Sequence, residues 1–335
     1  MEVKSIIVQG VEDVEIVQEF IDDKSLKDHE VYVENYFSHI SPGTELSRVY
    51  GYKKGATYPF RVGYSSVGKI LAKGPAVKDL EIGDFVLHSG SHSSYTIYNA
   101  AKSDGGVLYK LPENLPLDQA CCLVLCGVAA CGILIADVKV KDTVAIFGLG
   151  VLGSILSILY KQAGVKLIGV DPLAARAKDL PLDLYVSDLA NAEQEIMAFT
   201  NGKGVDIAVD ASGQSPAICS AIAVTRNYGQ VVLLGSPRHS YETDITPAFN
   251  AIHMKNLKVL GALNRLFPFN QHIGSITNVK ENLDYLSSLM LQGIIDTKKI
   301  VSHVIKPEEA MSAYRGLMYD RENYIGVIID WKNND

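Results

Sequence analysis

Gly148, Gly150 and Gly153 stand at G-x-G-x-x-G spacing, a pattern that lets backbone approach a pyrophosphate. Gly148 permits a tight strand-to-helix turn. Gly150 has no Cβ to hold a phosphate away, and Gly153 lets helix and strand pack closely. The N–H groups at the helix start, around Val151 and Leu152, then face the anion. About twenty residues further on, Asp171 follows a second apolar run, where its carboxylate would accept hydrogen bonds from the adenosine ribose. A 2′-phosphate would meet that carboxylate, so the chemistry favours NAD over NADP. Arg176, a few residues beyond, weakens this preference. The alternative is a glycine-rich turn that binds nothing. A second chemical stretch is His88-Ser-Gly-Ser-His92. Histidine suits proton transfer near neutral pH. On a helix the two imidazoles would pair on a metal, but Ser-Gly-Ser argues against a helix. Either histidine could instead belong to the surface or the core.

The surrounding elements must position these groups. Residues 144–147 read as a buried strand, 154–162 as an apolar helix and 166–170 as a second buried strand. Further strands are expected at 184–186, 207–210, 231–234 and 259–262, and helices at 154–163, 192–200, 216–224 and 280–292. This alternation implies a doubly wound parallel sheet, hence an α/β class. Residues 1 to about 120 differ. Short strand-like runs there are punctuated by Pro42-Gly43, Gly51, Gly74-Pro75 and Gly90, as in a mostly β domain. The tail returns to strand and helix at 299–305, 307–314 and 324–329.

Composition bounds the function. The chain has 335 residues, enough for two domains with sizeable cores. Its net charge of −7, without a basic block, makes nucleic acid and acidic membrane surfaces poor partners. The start, Met1-Glu-Val-Lys-Ser-Ile-Ile-Val, reads as a strand rather than a signal peptide. The apolar stretch 120–136 is broken by Gly127 and Gly132 and is short for a membrane span. A cytoplasmic protein is expected. Four of the five cysteines, Cys121, Cys122, Cys126 and Cys131, share that stretch. Neighbours on one helix rarely have disulfide geometry, so they read as buried small hydrophobes.

The whole chain resembles the medium-chain dehydrogenase/reductase family, the relatives of zinc alcohol dehydrogenase. The resemblance rests on Val67-Gly-Lys-Ile, Leu80-Glu-Ile-Gly-Asp-Phe-Val, Leu108-Tyr-Lys-Leu-Pro-Glu-Asn-Leu, the glycine loop, Asp206-Ile-Ala-Val-Asp-Ala-Ser-Gly, Gly229-Gln-Val-Val-Leu-Leu-Gly, and Ile305-Lys-Pro-Glu-Glu-Ala with Ala313-Tyr. It implies a GroES-like β domain from residues 1–125 and 296–335 and a Rossmann domain from 126–295, with the active site in the cleft between them. It adds Ser212 and Gly235 to the expected cofactor residues. It also implies a homodimer or homotetramer through the Rossmann domain, with 259–262 as the candidate edge.

The departures from the family concern zinc. Zinc members carry Cys-Gly-Thr-Asp and Gly-His-Glu, whereas this chain has Pro42-Gly-Thr-Glu and Gly63-Tyr-Ser. Pro42 and Tyr64 therefore stand at ligand positions, and only Cys126 fits a third. A catalytic zinc needs three protein ligands, so no metal is expected. The cysteine lobe for a structural zinc is also missing. The chain looks most like members with Ser-Pro-Gly-Thr-Glu and Gly-Tyr-x-x-Val-Gly, a pattern shared in part with bacteriochlorophyllide dehydrogenases.

Side chains must then do the metal's work of stabilising the substrate oxygen and taking its proton. Tyr64 is a candidate, or else it fills vacated space. Thr44 matches a proton-relaying hydroxyl, or it is a turn residue. Glu45 matches an acid beside the metal in zinc relatives. It acts as base or substrate ligand, or it favours a helix start. His92, and less so His88, borders the expected cleft, and His39 and Ser41 lie on the same critical loop as Thr44. The leading expectation is a zinc-independent, NAD-dependent dehydrogenase that interconverts a secondary alcohol and a ketone on a small sugar, polyol or cyclitol. A quinone or enoyl reductase and a non-catalytic NAD-binding sensor are the alternatives.

Overall fold

Thr143–Phe147 is almost wholly apolar, and its side chains are buried on both faces, as a central parallel strand requires. The computed structural model describes residues 2–22, 25–53, 55–101, 106–237 and 240–332. In it this strand lies inside a six-stranded parallel sheet. The order is Leu184–Val186, Lys166–Val170, Thr143–Phe147, Val205–Asp210, Thr225–Leu233 and Lys258–Gly261. That is the doubly wound order, with its reversal beside the first strand. Helices Val151–Gln162, Ala192–Phe199, Ser215–Val224 and Thr246–Lys255 alternate with these strands. The apolar residues of the last three close a core that includes Phe147, Ile168, Ile196 and Val231.

The remaining strands form antiparallel-rich sheets. One joins Val301–Ile305, Gly326–Asp330, Glu30–Ile40, Ser66–Lys73, Phe85–His88 and Leu108–Lys110, with Tyr95–Asn99 also paired to Glu30–Ile40. A smaller one joins Asp13–Phe20, Glu2–Gly10 and Phe60–Arg61. Both ends of the chain contribute, because Gly326–Asp330 pairs antiparallel with the end of Glu30–Ile40. Helix Ala310–Tyr319 packs there through Ala313, Tyr314 and Leu317, in a cluster with Ile6, Ile40 and Trp331.

The chain divides into two compact units, Met1–Gly127 with Arg265–Asp335, and Val128–Asn264. The expected boundary at residue 295 thus falls inside the first unit, which takes helix Val279–Leu291. Tyr109 shows why: its hydroxyl donates to Asp284 on that helix at 2.8 Å, tying it to strand Leu108–Lys110. Among the described residues, no helix is long and apolar enough to cross a membrane.

Candidate active site

The glycine loop occupies the end of strand Thr143–Phe147. Gly148 has φ +95°, a left-handed conformation that favours glycine. A Cβ there would also lie 2.8 Å from that of Ser212. At Gly153 a Cβ would sit 1.8 Å from the Gly148 carbonyl oxygen, so close packing alone demands glycine. Gly150 differs, since the nearest atom to its virtual Cβ is Arg176 Nη1 at 4.0 Å. Open space therefore lies over the start of helix Val151–Gln162, where Gly150 offers no capping side chain. The first-turn N–H groups of Val151, Leu152 and Gly153 are the donors a helix leaves without carbonyl partners.

Asp171 follows strand Lys166–Val170 and is buried. Its Oδ2 accepts from Leu149 N–H at 2.8 Å and its Oδ1 from Leu173 N–H at 2.9 Å. Arg176 lies 3.4 Å from Oδ2, so one cation reaches both the carboxylate and the rim of the loop. Across the sheet, buried Asp210 accepts from Ser212 N–H at 3.0 Å, Ser212 Oγ–H at 2.6 Å and Gly213 N–H. Gly235 donates to the Asp210 carbonyl at 2.8 Å. The fold thus gathers Gly148, Ser212 and Gly235 at the carboxyl ends of three adjacent strands, where ligands bind in such sheets. An uncapped helix start, a glycine with free space above it and a carboxylate at the next strand end fit a dinucleotide.

The first unit holds the other group. Helix Thr44–Val49 begins just after Ser41-Pro-Gly. Glu45, in its first turn, folds back so that Oε1 accepts from Ser41 N–H at 2.8 Å. Its Oε2 lies 3.0 Å from His92 Nε2 and accepts from Tyr314 O–H at 2.5 Å. His92 Nδ1 is 2.8 Å from Ser38 Oγ, which also accepts from Trp331 Nε1–H at 2.9 Å. Glu45 and His92 are 2% and 0% exposed, so they form a buried pair without direct solvent access. Tyr64 is half-buried, and its hydroxyl donates to Ser41 Oγ at 2.6 Å. Gly63 makes room for this arrangement, because a Cβ there would lie 2.6 Å from the His92 ring. Thr44 is exposed at the helix start, and its carbonyl accepts from Ser47 Oγ–H at 2.8 Å.

The other histidines and the cysteines do different work. His88 is buried. Its Nδ1 accepts from Gly90 N–H at 3.0 Å, so Nε2–H donates to Asn35 Oδ1 at 2.8 Å. Burial lowers its pKa to about 3, and the neutral ring staples a turn. His39 is buried on strand Glu30–Ile40, with no hydrogen-bond partner for either ring nitrogen among the described residues. Burial, opposed by the charge of Glu45, lowers its pKa to about 4. Cys126 is fully buried, and burial pushes its thiol well above the usual range. Pro42 has no donor side chain and the Tyr64 hydroxyl is held by Ser41, so with Cys126 they make no zinc donor set. Among the described residues no cluster of three or more His, Cys, Asp or Glu could hold a metal ion.

Sequence reasoning singled out Glu45, His92 and Tyr64 separately, and the fold brings them together. It missed Ser38, Tyr314 and Trp331, which reach the pair from a strand, the helix Ala310–Tyr319 and the chain end. The only available signals were the family tail motif around Ala313-Tyr and the single tryptophan.

Several known dehydrogenases are similar to this chain. Residues 151–273 match the family described as Zinc-binding dehydrogenase. The D-guloside 3-dehydrogenase of Escherichia coli (strain K12) is 33% identical over 168 residues, 49% of this chain and 47% of that protein. That match spans about half the length of the relative. The (R,R)-butanediol dehydrogenase of Neisseria gonorrhoeae is 21% identical over 308 residues, 82% of each chain. The crystal structure of galactitol-1-phosphate dehydrogenase from Escherichia coli superimposes with a TM-score of 0.83 at 17% identity, covering 98% of this chain and 99% of that one.

Proposed function

We propose that this chain, whose residues 151–273 match the zinc-binding dehydrogenase family, is an NAD(H)-dependent oxidoreductase that interconverts a secondary alcohol and a ketone without a catalytic zinc. The observation that carries the reading is the uncapped helix start under open space at Gly150, beside the buried Asp171 carboxylate. A nicotinamide dinucleotide bound there supplies the hydride acceptor. Asp171 disfavours a 2′-phosphate and so selects NAD. Arg176 offsets part of that charge and leaves the preference moderate.

Alcohol oxidation sends a hydride from the carbinol carbon to the nicotinamide and a proton from the hydroxyl elsewhere. In the ketone-reducing direction Tyr64 O–H gives its proton to the carbonyl oxygen and regains one from solvent, and alcohol oxidation runs this in reverse; Tyr64 is the one member of the Tyr64–Ser41–Glu45–His92 group that is half-buried rather than buried. Ser41 receives its hydrogen bond, and the Glu45 carboxylate holds Ser41 from behind. Thr44 adds an exposed hydroxyl at the same helix start. The names of D-guloside 3-dehydrogenase and (R,R)-butanediol dehydrogenase support a small polyhydroxylated substrate, whether sugar, polyol or cyclitol. Its five unbridged cysteines suit a reducing cytoplasm. Strand Lys258–Gly261, at one edge of the parallel sheet, is the element through which two chains pair as a homodimer, or four as a tetramer.

The test is NADH formation with butane-2,3-diol and a panel of guloside, sugar and polyol alcohols, repeated with NADP. Oxidation with a preference for NAD is expected. Reduction of enones or quinones by NADPH, with every alcohol inert, would overturn the reading. Tyr64→Phe is expected to slow turnover by about a hundredfold or more while NADH still binds. An unchanged rate would remove Tyr64 from the chemistry.

A further inference from the structure

We propose that Tyr314 and Ser38 are positioning residues that fix the hydrogen-bond arrangement of the buried Glu45–His92 pair, with the His92 ring proton on Nε2 and directed at Glu45. Trp331 Nε1–H is a donor only, and it donates to Ser38 Oγ at 2.9 Å. The Ser38 hydroxyl proton is then free for His92 Nδ1, 2.8 Å away. An accepting Nδ1 leaves the imidazole proton on Nε2, which donates to Glu45 Oε2 at 3.0 Å. Tyr314 approaches the same oxygen at 2.5 Å. Burial first, and the Glu45 charge next, raise the Tyr314 phenol well above its ordinary value, so it remains a donor. With Ser41 N–H on Oε1, the carboxylate accepts three hydrogen bonds and has little solvent to replace any of them.

The titratable groups facing Glu45 come from three elements. His92 lies on the loop before Tyr95–Asn99, Tyr314 on helix Ala310–Tyr319 and His39 on strand Glu30–Ile40. His39 is neutral through most of the working pH range, so Tyr314 and His92 set the pair. The pair reaches Tyr64 through Ser41, whose N–H binds Glu45 and whose Oγ accepts the Tyr64 hydroxyl. The last part of the chain thereby tunes a group far away in sequence. The link to turnover rests on the proton role given to Tyr64 above, whereas the proton arrangement itself does not.

The experiment has two arms on the full-length protein. Long-range 1H–15N NMR of histidine side chains at neutral pH should show His92 as the Nε2–H tautomer. A doubly protonated ring or an Nδ1–H tautomer would overturn the proposal. Trp331→Phe removes the indole donor to Ser38 Oγ, which lets that oxygen accept from His92 Nδ1–H instead, and should reduce the Nε2–H population; an unchanged His92 signal would refute the Ser38 assignment. The second arm uses Tyr314→Phe with NAD and butane-2,3-diol or the best alcohol of the panel. Loss of that donor alters the hydrogen bonding of the pair, so the acid limb of the kcat/KM profile should move by about one pH unit or more. An unmoved limb would refute the Tyr314 role, because loss of packing alone does not shift a titration. If no alcohol is oxidised, the proposed activity fails while the NMR arm still decides the proton arrangement. If Tyr314→Phe does not fold, Trp331→Phe keeps that readout.

Discussion

Gly150 and Gly153 share a motif, yet they are glycine for different reasons, and substitution separates them. Gly153→Ala places a methyl group 1.8 Å from the Gly148 carbonyl oxygen, so the loop must shift. A loss of about 1–3 kcal/mol of stability is expected in urea unfolding. Gly150→Ala meets nothing closer than Arg176 at 4.0 Å and should fold normally. Its methyl group fills the space meant for a pyrophosphate, so NADH affinity in a fluorescence titration should fall by about tenfold or more. Equal effects of the two substitutions on folding would contradict this division. His39 gives a second residue-scale prediction. Its pKa is lowered from 6.5 to about 4 by burial, while the unfolded chain binds the proton near 6.5. Its contribution to stability is therefore complete above pH 6.5 and is lost as pH falls towards 4. At about 1.4 kcal/mol per pKa unit, the loss amounts to about 3 kcal/mol. His39→Leu should flatten the melting temperature of the protein across that window relative to wild type. Parallel curves for the two proteins would show that His39 does not titrate in this way.

Strand Lys258–Gly261 pairs with Thr225–Leu233 on one side and ends the parallel sheet on the other. Val259 on it is exposed. If two chains pair through this edge, Val259→Asp should raise the dimer dissociation constant in sedimentation experiments and leave the melting profile of the dilute protein unchanged. An unchanged association state would assign the contact to another surface. The parallel-sheet elements were legible in the sequence because their strands are apolar on both faces and their helices carry continuous stripes. The expected 166–170 strand and the 192–200 and 280–292 helices differ from the observed bounds by a residue at most. Helix Thr246–Lys255 was not read for a physical reason: Ala248 alone is buried, Ala251 and Ile252 pack only in part, and Phe249 and Met254 face solvent, so its apolar stripe is blurred. The candidate site was legible in its glycines, Asp171 and the Ser-Pro-Gly-Thr-Glu stretch. The contacts from Ser38, Tyr314 and Trp331 were not, because only tertiary pairing brings them to residues 45 and 92.

At the scale of the molecule, the two groups of residues that the proposed function calls on belong to different units. Val128–Asn264 holds the glycine loop, Asp171, Ser212 and Gly235, while the first unit holds Ser41, Glu45, Tyr64 and His92. On the proposed function, one unit supplies the dinucleotide site and the other handles the substrate oxygen. The proposed function gives hydrogen bonds from Tyr64, Ser41 and Glu45 the work that a metal does in zinc enzymes. The measurement that tests this most directly is alcohol oxidation by NAD on protein treated with a strong chelator, with bound zinc quantified before and after. The account predicts less than one zinc per chain at the outset and an unchanged rate after treatment. Stoichiometric zinc, with activity lost on stripping and restored by added zinc, would contradict it.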